Sequence, residues 1–212
     1  MARVAIVGGG GFAKEVIEVA RMLGHEAVGV FALENSLPDL PHLGYLEEMR
    51  TRRDDYDALC LAVGAVNARG IADRRRIIGY IRAHALPTLS LVSPLATVAP
   101  SVTIGEGVFI GHEVLISCDA RIGDFVLINQ RAVIGHDARI DENVSVAPLV
   151  FLGGNVRVEA DTMLGVRATV RQGLRIGQEC VVGMGSLVIK NLKPRSTTLQ
   201  MPSKIYREPA DG

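Results

Sequence analysis

The sequence predicts two joined architectures: a small α/β unit over residues 1–88 and a parallel β-solenoid over 89–193, with 194–212 as a C-terminal tail. Three observations carry this. An aliphatic residue recurs every six positions from Val98 to Val188, sixteen times in succession. A strand-like run, four glycines and an amphipathic stretch open the chain. Aromatic residues make up 4% of the whole and Trp is absent, as a narrow core of stacked aliphatic side chains requires.

Composition bounds the function classes. The 212 residues balance 23 Lys+Arg against 23 Asp+Glu, and no Lys/Arg-rich block offers a track for nucleic acid or an anionic membrane. Of the 23 basic residues 19 are Arg, which favours forked contacts to phosphates and carboxylates. No apolar run is long enough to span a bilayer and no secretory segment opens the chain, so a cytoplasmic location is expected. Cys60, Cys118 and Cys180 are odd in number and widely spaced, which fits small core residues rather than a disulfide framework or a zinc site; no metal is expected.

In the first half, residues 3–7 read as a buried strand, Gly8, Gly9, Gly10 and Gly11 as a turn, and Phe12 to Leu23 as a helix whose apolar positions share one face. A second strand, Glu26 to Phe31, completes the start of a Rossmann-like βαβ unit. Its glycines stand where backbone N–H groups at a helix N-terminus approach a phosphate, although a tight turn without ligand uses the same residues. Glu34 is the nearest acidic residue after the second strand. Ala58 to Val63 reads as a third strand, Gly64 to Arg69 as a loop, and Gly70 to His84 as a basic helix on which Arg74, Arg75 and Arg76 form a solvated face. His25 and His42 fall in loops.

The second half is the repeat. Gly often follows the inward aliphatic residue, as at Gly105, Gly123, Gly135, Gly153 and Gly165, and a small or β-branched residue comes four places after it. Period six with a turn residue beside each inward side chain describes one face of a solenoid whose strands bend from face to face. Three faces make an 18-residue coil, so residues 98–193 hold about five coils stacked at about 4.8 Å, a prism about 25 Å tall. Leu91 to Pro100 leads in, and Asn191 onward, with Pro194, Pro202 and Pro209, leads out.

Sixteen hexads behind a glycine-turn α/β unit resemble the bacterial sugar acetyltransferases of the hexapeptide-repeat superfamily. The likeness is to the group containing nucleotide-aminosugar N-acetyltransferases and sialic-acid O-acetyltransferases. It runs through VAIVGGGGFAKEV, LAVGAVNAR, VLINQRAVIGHDARI, LGGNVRV, VVGMGSLVIKNL and MPSKI. The resemblance implies a left-handed parallel β-helix, a homotrimer, acetyl-CoA as donor and an active site between neighbouring subunits. It implies His136 as general base and Asp137 as the residue that orients the ring. It places a nucleotide-linked amino sugar against Gly8 to Gly11, Glu34, Gly64, Asn67 and Arg69, with the nucleobase left open. Asn129 either contacts the sugar or caps a turn. Gly154, Gly165, Gly183 and Gly185 become candidates for the acetyl-CoA groove, where each also suits a coil corner, and Lys190 and Lys204 for its distal phosphates. Ser145 stands where many relatives carry a second histidine in the acetyl pocket, and Pro148-Leu149 replaces their Pro-Gly.

Acetyl transfer needs a base for the attacking amine, donors for the developing oxyanion and alignment of two substrates. His136 lies two places past an inward aliphatic residue and therefore projects outward. His112 holds the same hexad position, but 24 residues earlier, so the two cannot share a face. O-acetylation of a sugar and a non-catalytic nucleotide-sugar-binding trimer remain as alternatives.

Overall fold

The structure is a computed structural model that describes residues 1–34 and 36–200. It opens on a four-stranded parallel sheet in the order β3-β2-β1-β4, formed by β1 (Arg3–Val7), β2 (Glu26–Phe31), β3 (His42–Gly44) and β4 (Ala58–Leu61). Helix α1 (Gly11–Met22) buries Ala13, Val16, Ile17, Val19 and Ala20, the stripe that its helical spacing dictates. It stops where Gly24 takes a left-handed φ of 78°. Helix α3 (Ala68–Ala83) is capped by Asn67, whose side chain accepts from Gly70 N at 2.9 Å. His42 opens a short edge strand rather than lying in a loop, and α2 (Leu46–Thr51) follows it. Neither short element has enough periodicity to announce itself.

Eighteen two-residue strands, from Leu91–Val92 to Thr197–Thr198, build the solenoid. They form parallel sheets of seven, six and five strands, the three faces of a prism. Partners are 18 residues apart through the repeat: Ile104, Ile122, Ile140, Val158 and Ile176 stack in register on one face. Ile134 and its neighbours Ile128 and Leu152 are fully buried, so truncating any one to Ala should cost about 2–5 kcal/mol.

Two details differ from expectation. Leu91–Val92 pairs with Phe109–Ile110 and Thr197–Thr198 with Val181–Val182, so the supposed lead-in and lead-out are rungs of the prism. The turn residue is also not the glycine beside the aliphatic. Left-handed φ falls two positions later, at Glu113, Asp119, Phe125, Arg131, Asp137, Asn143 and onward every sixth residue. The glycines serve close stacking instead: a Cβ at Gly135 would lie 2.5 Å from Gly154 N in the next coil.

Outward residues give the faces different chemistry. On the seven-stranded face Leu91, Phe109, Leu127 and Met163 are buried beneath the N-terminal unit. Phe12 meets Phe109 edge-on at 5.3 Å between ring centroids. The six-stranded face leaves Leu115, Phe151 and Leu187 uncovered, at 44%, 46% and 67% exposure. On the five-stranded face Arg121, Arg139, Arg157 and Arg175 stand one above another, a surface suited to water. The N-terminal unit also grips both corners of its face. His112 lies 3.7 Å from Glu18 on one side, and Arg82 pairs with Asp124 and Glu142 at 2.8 and 2.7 Å on the other.

Candidate active site

His136 and Asp137 occupy the third corner, between strands Val133–Ile134 and Arg139–Ile140. Asp137 takes the left-handed turn (φ 57°), which aspartate tolerates, and its carboxylate closes back on the ring. His136 Nδ1 and Asp137 Oδ2 are 2.7 Å apart. With Nδ1–H donating to the carboxylate, Nε2 keeps its lone pair as a proton acceptor. Both side chains are about half-exposed.

The neighbouring coils seat this pair. Asp137 N donates to Cys118 O at 3.0 Å and Asn155 N to His136 O at 2.8 Å. The imidazole lies on Gly154: a Cβ there would sit 2.6 Å from its Cε1 and also against Nε2. Beside the pair is a cavity of about 350 Å³ lined by Asp119, Arg121, Asp137, Arg139, Asn155 and Arg157.

A larger cavity, about 680 Å³, lies in the N-terminal unit, within the size range of small-molecule sites. Gly8 to Gly11, Phe12, Phe31 to Glu34, Tyr45, Gly64, Arg69, Asp73 and Arg76 line it. Gly8 has φ 128°, and a Cβ there would come 2.6 Å from Ala62 O, so the turn between β1 and α1 requires glycine to pass the end of β4. The first backbone N–H groups of α1 are thereby set at the cavity wall, a polarity that suits an anion.

Of the expected substrate residues, Gly8, Gly9, Gly10, Gly11, Glu34, Gly64 and Arg69 come together here. Asn67 is occupied as the cap of α3. Asn129 lies at the corner between the seven- and six-stranded faces and donates to Val146 O at 3.0 Å. Ser145 is not beside His136. It is 2% exposed beneath the N-terminal unit, its Oγ 3.5 Å from Ala65 O. Gly154 and Lys190 share the corner of His136, while Gly165, Gly183 and Gly185 line the corner of Asn129. Lys204 lies outside the described residues. His112 is tied to Ser93 Oγ at 2.7 Å and to α1, away from His136.

The arginine run is a solvated face only in part, with Arg75 and Arg76 exposed. Arg74 is 1% exposed, Arg75 pairs with Asp161 at 2.9 Å, and Arg76 lines the large cavity with its Nη2 donating to Tyr45 Oη at 2.6 Å. Sequence reasoning missed Tyr45, Asp73 and Arg76. The spacing of Arg69, Asp73 and Arg76 (i, i+4, i+7) marks one face of α3 and is the signal that could have found the last two.

Among the described residues no group of three or more His, Cys, Asp or Glu side chains could hold a metal ion, and no helix is long and apolar enough to cross a membrane. A parallel solenoid with an exposed histidine–carboxylate pair, behind a glycine-turn α/β unit, defines the class of hexapeptide-repeat transferases. The family pattern described as hexapeptide repeat of succinyl-transferase matches residues 150–190. Among solved structures, a histidine-to-asparagine mutant of perosamine N-acetyltransferase from Caulobacter crescentus, in complex with CoA and GDP-perosamine, is 32% identical over 97% of both chains, with a TM-score of 0.84. The acetyltransferase domain of PglB from Neisseria gonorrhoeae, in complex with acetyl coenzyme A, is 27% identical, covers 92% of this chain and 94% of its own, and has a TM-score of 0.81. WeeI from Acinetobacter baumannii shares the fold at 24% identity, over 96% of this chain and 99% of its own, with a TM-score of 0.81. No curated protein matches the chain. The chain belongs to the hexapeptide-repeat sugar acetyltransferases, whose solenoid is the left-handed β-helix.

Proposed function

We propose that this chain transfers the acetyl group of acetyl-CoA to the amino group of a nucleotide-linked amino-deoxy sugar, at sites shared between neighbouring copies in a homotrimer. The observation that carries the shared site is the separation of its two halves. The large cavity belongs to the unit packed on the seven-stranded face, whereas His136 stands at the corner opposite that face. The uncovered apolar stripe of Leu115, Phe151 and Leu187 lies between the two solenoid corners that carry His136 and Gly165. Covering that stripe with a second copy buries apolar surface and brings one copy's cavity to the next copy's histidine. Gly154 and Lys190 of one prism then face Gly165, Gly183 and Gly185 of its neighbour across a groove fit for the acetyl donor. The relatives described with CoA and GDP-perosamine support both substrates. A soluble enzyme of surface polysaccharide synthesis in the cytoplasm is the setting that such a reaction implies.

In this reading acetyl-CoA supplies the activated thioester carbonyl. His136 Nε2 takes the proton of the attacking amine as the new C–N bond forms and the thiolate leaves. Asp137 holds the ring in the accepting tautomer and stabilises the imidazolium that results.

The test is thiol release from acetyl-CoA against GDP-, UDP- and dTDP-linked 4-amino sugars and free sialic acid, with wild type and His136→Ala. Release with one amino sugar, slowed by about 10²- to 10⁴-fold in the variant, is expected. Release with sialic acid alone would replace N- by O-acetylation. Binding without release would leave a non-catalytic trimer, and full activity of His136→Ala would remove the histidine from the chemistry.

A further inference from the structure

Arg74 is a buried cation that the chemistry above does not use. Its Nε donates to Asn143 Oδ1 at 2.9 Å, its Nη1 to Val63 O at 2.6 Å and its Nη2 to Phe125 O at 2.5 Å. None of these acceptors is a carboxylate. Burial pushes the guanidinium pKa down to about 10, which still leaves it protonated at pH 7. A charge held this way is a costly means of filling space, since apolar side chains of similar volume often pack at least as well.

The partners show what the cost secures. Phe125 and Asn143 are successive left-handed turn residues at one corner of the prism. Asn143 is also buried; its Nδ2 donates to Asp161 Oδ1 at 2.7 Å and lies 3.4 Å from Ile71 O of α3. Val63 follows β4 and lines the large cavity, where Ala62 backs against Gly8 of the glycine turn. One guanidinium therefore ties the cavity floor to two coils of the solenoid. The salt bridges of Arg75 and Arg82 along this corner are partly exposed and joined by long side chains. An exposed pair of this kind contributes little by itself.

We propose that Arg74 is a positioning residue: by fixing Val63 to the prism corner it sets where the nucleotide-sugar cavity stands relative to the partner subunit's His136. The inference rests on the shared-site reading above. Any rotation of the N-terminal unit on its face moves the reacting amine, although the cavity itself stays intact.

The test compares wild type, Arg74→Lys and Asn143→Ala for kcat, KM of the amino sugar, affinity for GDP and UDP by calorimetry, and Tm. Lysine keeps the charge but cannot span three acceptors on three segments. Because misplacement by about 1 Å can cost about 10²-fold, Arg74→Lys is expected to lower kcat by about 10- to 100-fold. KM and nucleotide affinity should stay within about twofold. Asn143→Ala, which removes the Nε acceptor together with the bond to Asp161 and sets alanine at a left-handed turn, should lower Tm and give a smaller loss of kcat of the same kind even if the lysine variant folds poorly. Unchanged kcat with a lowered Tm would make Arg74 a purely structural residue and overturn the proposal. A loss that lies wholly in nucleotide affinity would also overturn it, by making Arg74 a support of the cavity alone. A wild type inactive on every amino sugar would instead sink the function itself, and the positioning role with it.

Discussion

Gly154→Ala tests the site through one methyl group. The added Cβ would lie 2.6 Å from Cε1 of His136, whereas non-bonded carbons settle at about 3.5–4.0 Å, so the ring must retreat by about 1 Å. Residue 154 has no left-handed φ to penalise alanine, and the three heavy atoms nearest the added Cβ all belong to the half-exposed His136 ring; Tm should therefore move little. A shift of that size in a general base is expected to lower turnover by about 10²-fold. The decisive assay is a double-mutant cycle on thiol release. If Gly154 acts only by seating His136, adding Gly154→Ala to a His136→Ala enzyme has no further effect, because the ring that the methyl group displaces is gone. Wild-type turnover in Gly154→Ala would show that the pose of the ring on Gly154 is not the one used in catalysis. A further loss in the His136→Ala background would assign Gly154 a role of its own towards a substrate.

Other outcomes follow from the same geometry. Random mixing of equal amounts of inactive His136→Ala and Gly10→Phe subunits, the latter with a filled cavity, should restore about one quarter of wild-type activity. Three quarters of such trimers are mixed, and each has one site with a good histidine facing a good cavity; no recovery after verified exchange would refute a shared site. Cys118 is the one exposed cysteine of the three and sits one coil from His136. N-ethylmaleimide should therefore inactivate the wild type and spare Cys118→Ser, and equal inactivation of both would contradict that placement. Burial is the main cause holding the Glu15 carboxyl above its usual 4.5, with nearby His112 opposing and Glu18 adding to the shift. A raised native-state pKa gives stability that is complete below about 4.5 and is lost as pH rises through the raised value. Glu15→Gln, which can still accept from Gln130, should accordingly raise Tm at pH 7 with the gain vanishing near pH 3.5. An unchanged Tm at pH 7 would contradict the cost assigned to this carboxylate.

The solenoid was legible because every coil makes the same local demand, an aliphatic residue inward at each sixth position. The same rhythm reaches back to Val92, six before Val98, so the first rung was readable too. The last rung, Thr197–Thr198, pairs with Val181–Val182 at a spacing of 16 rather than 18, and no period could reveal it. The glycine turn and His136-Asp137 were likewise visible, since each depends on neighbours in sequence. The Arg74-Arg75-Arg76 run shows where such reading ends. A helix turns about 100° per residue, so three identical side chains point to a sealed interface, a prism corner and a cavity. Which is which depends on what α3 packs against.

Sequence alone therefore determined the repeat and the order of the two architectures, because these are properties of local spacing, whereas the histidine–carboxylate pair was pointed to by the family resemblance. Tertiary structure alone decided which of the three faces the α/β unit covers. That placement buried Ser145 and put the cavity and the histidine on opposite sides of one prism. Those outcomes depend on how the α/β unit docks on one of three faces, a choice made by outward side chains that lie 18 residues apart and act together only once the coils are stacked.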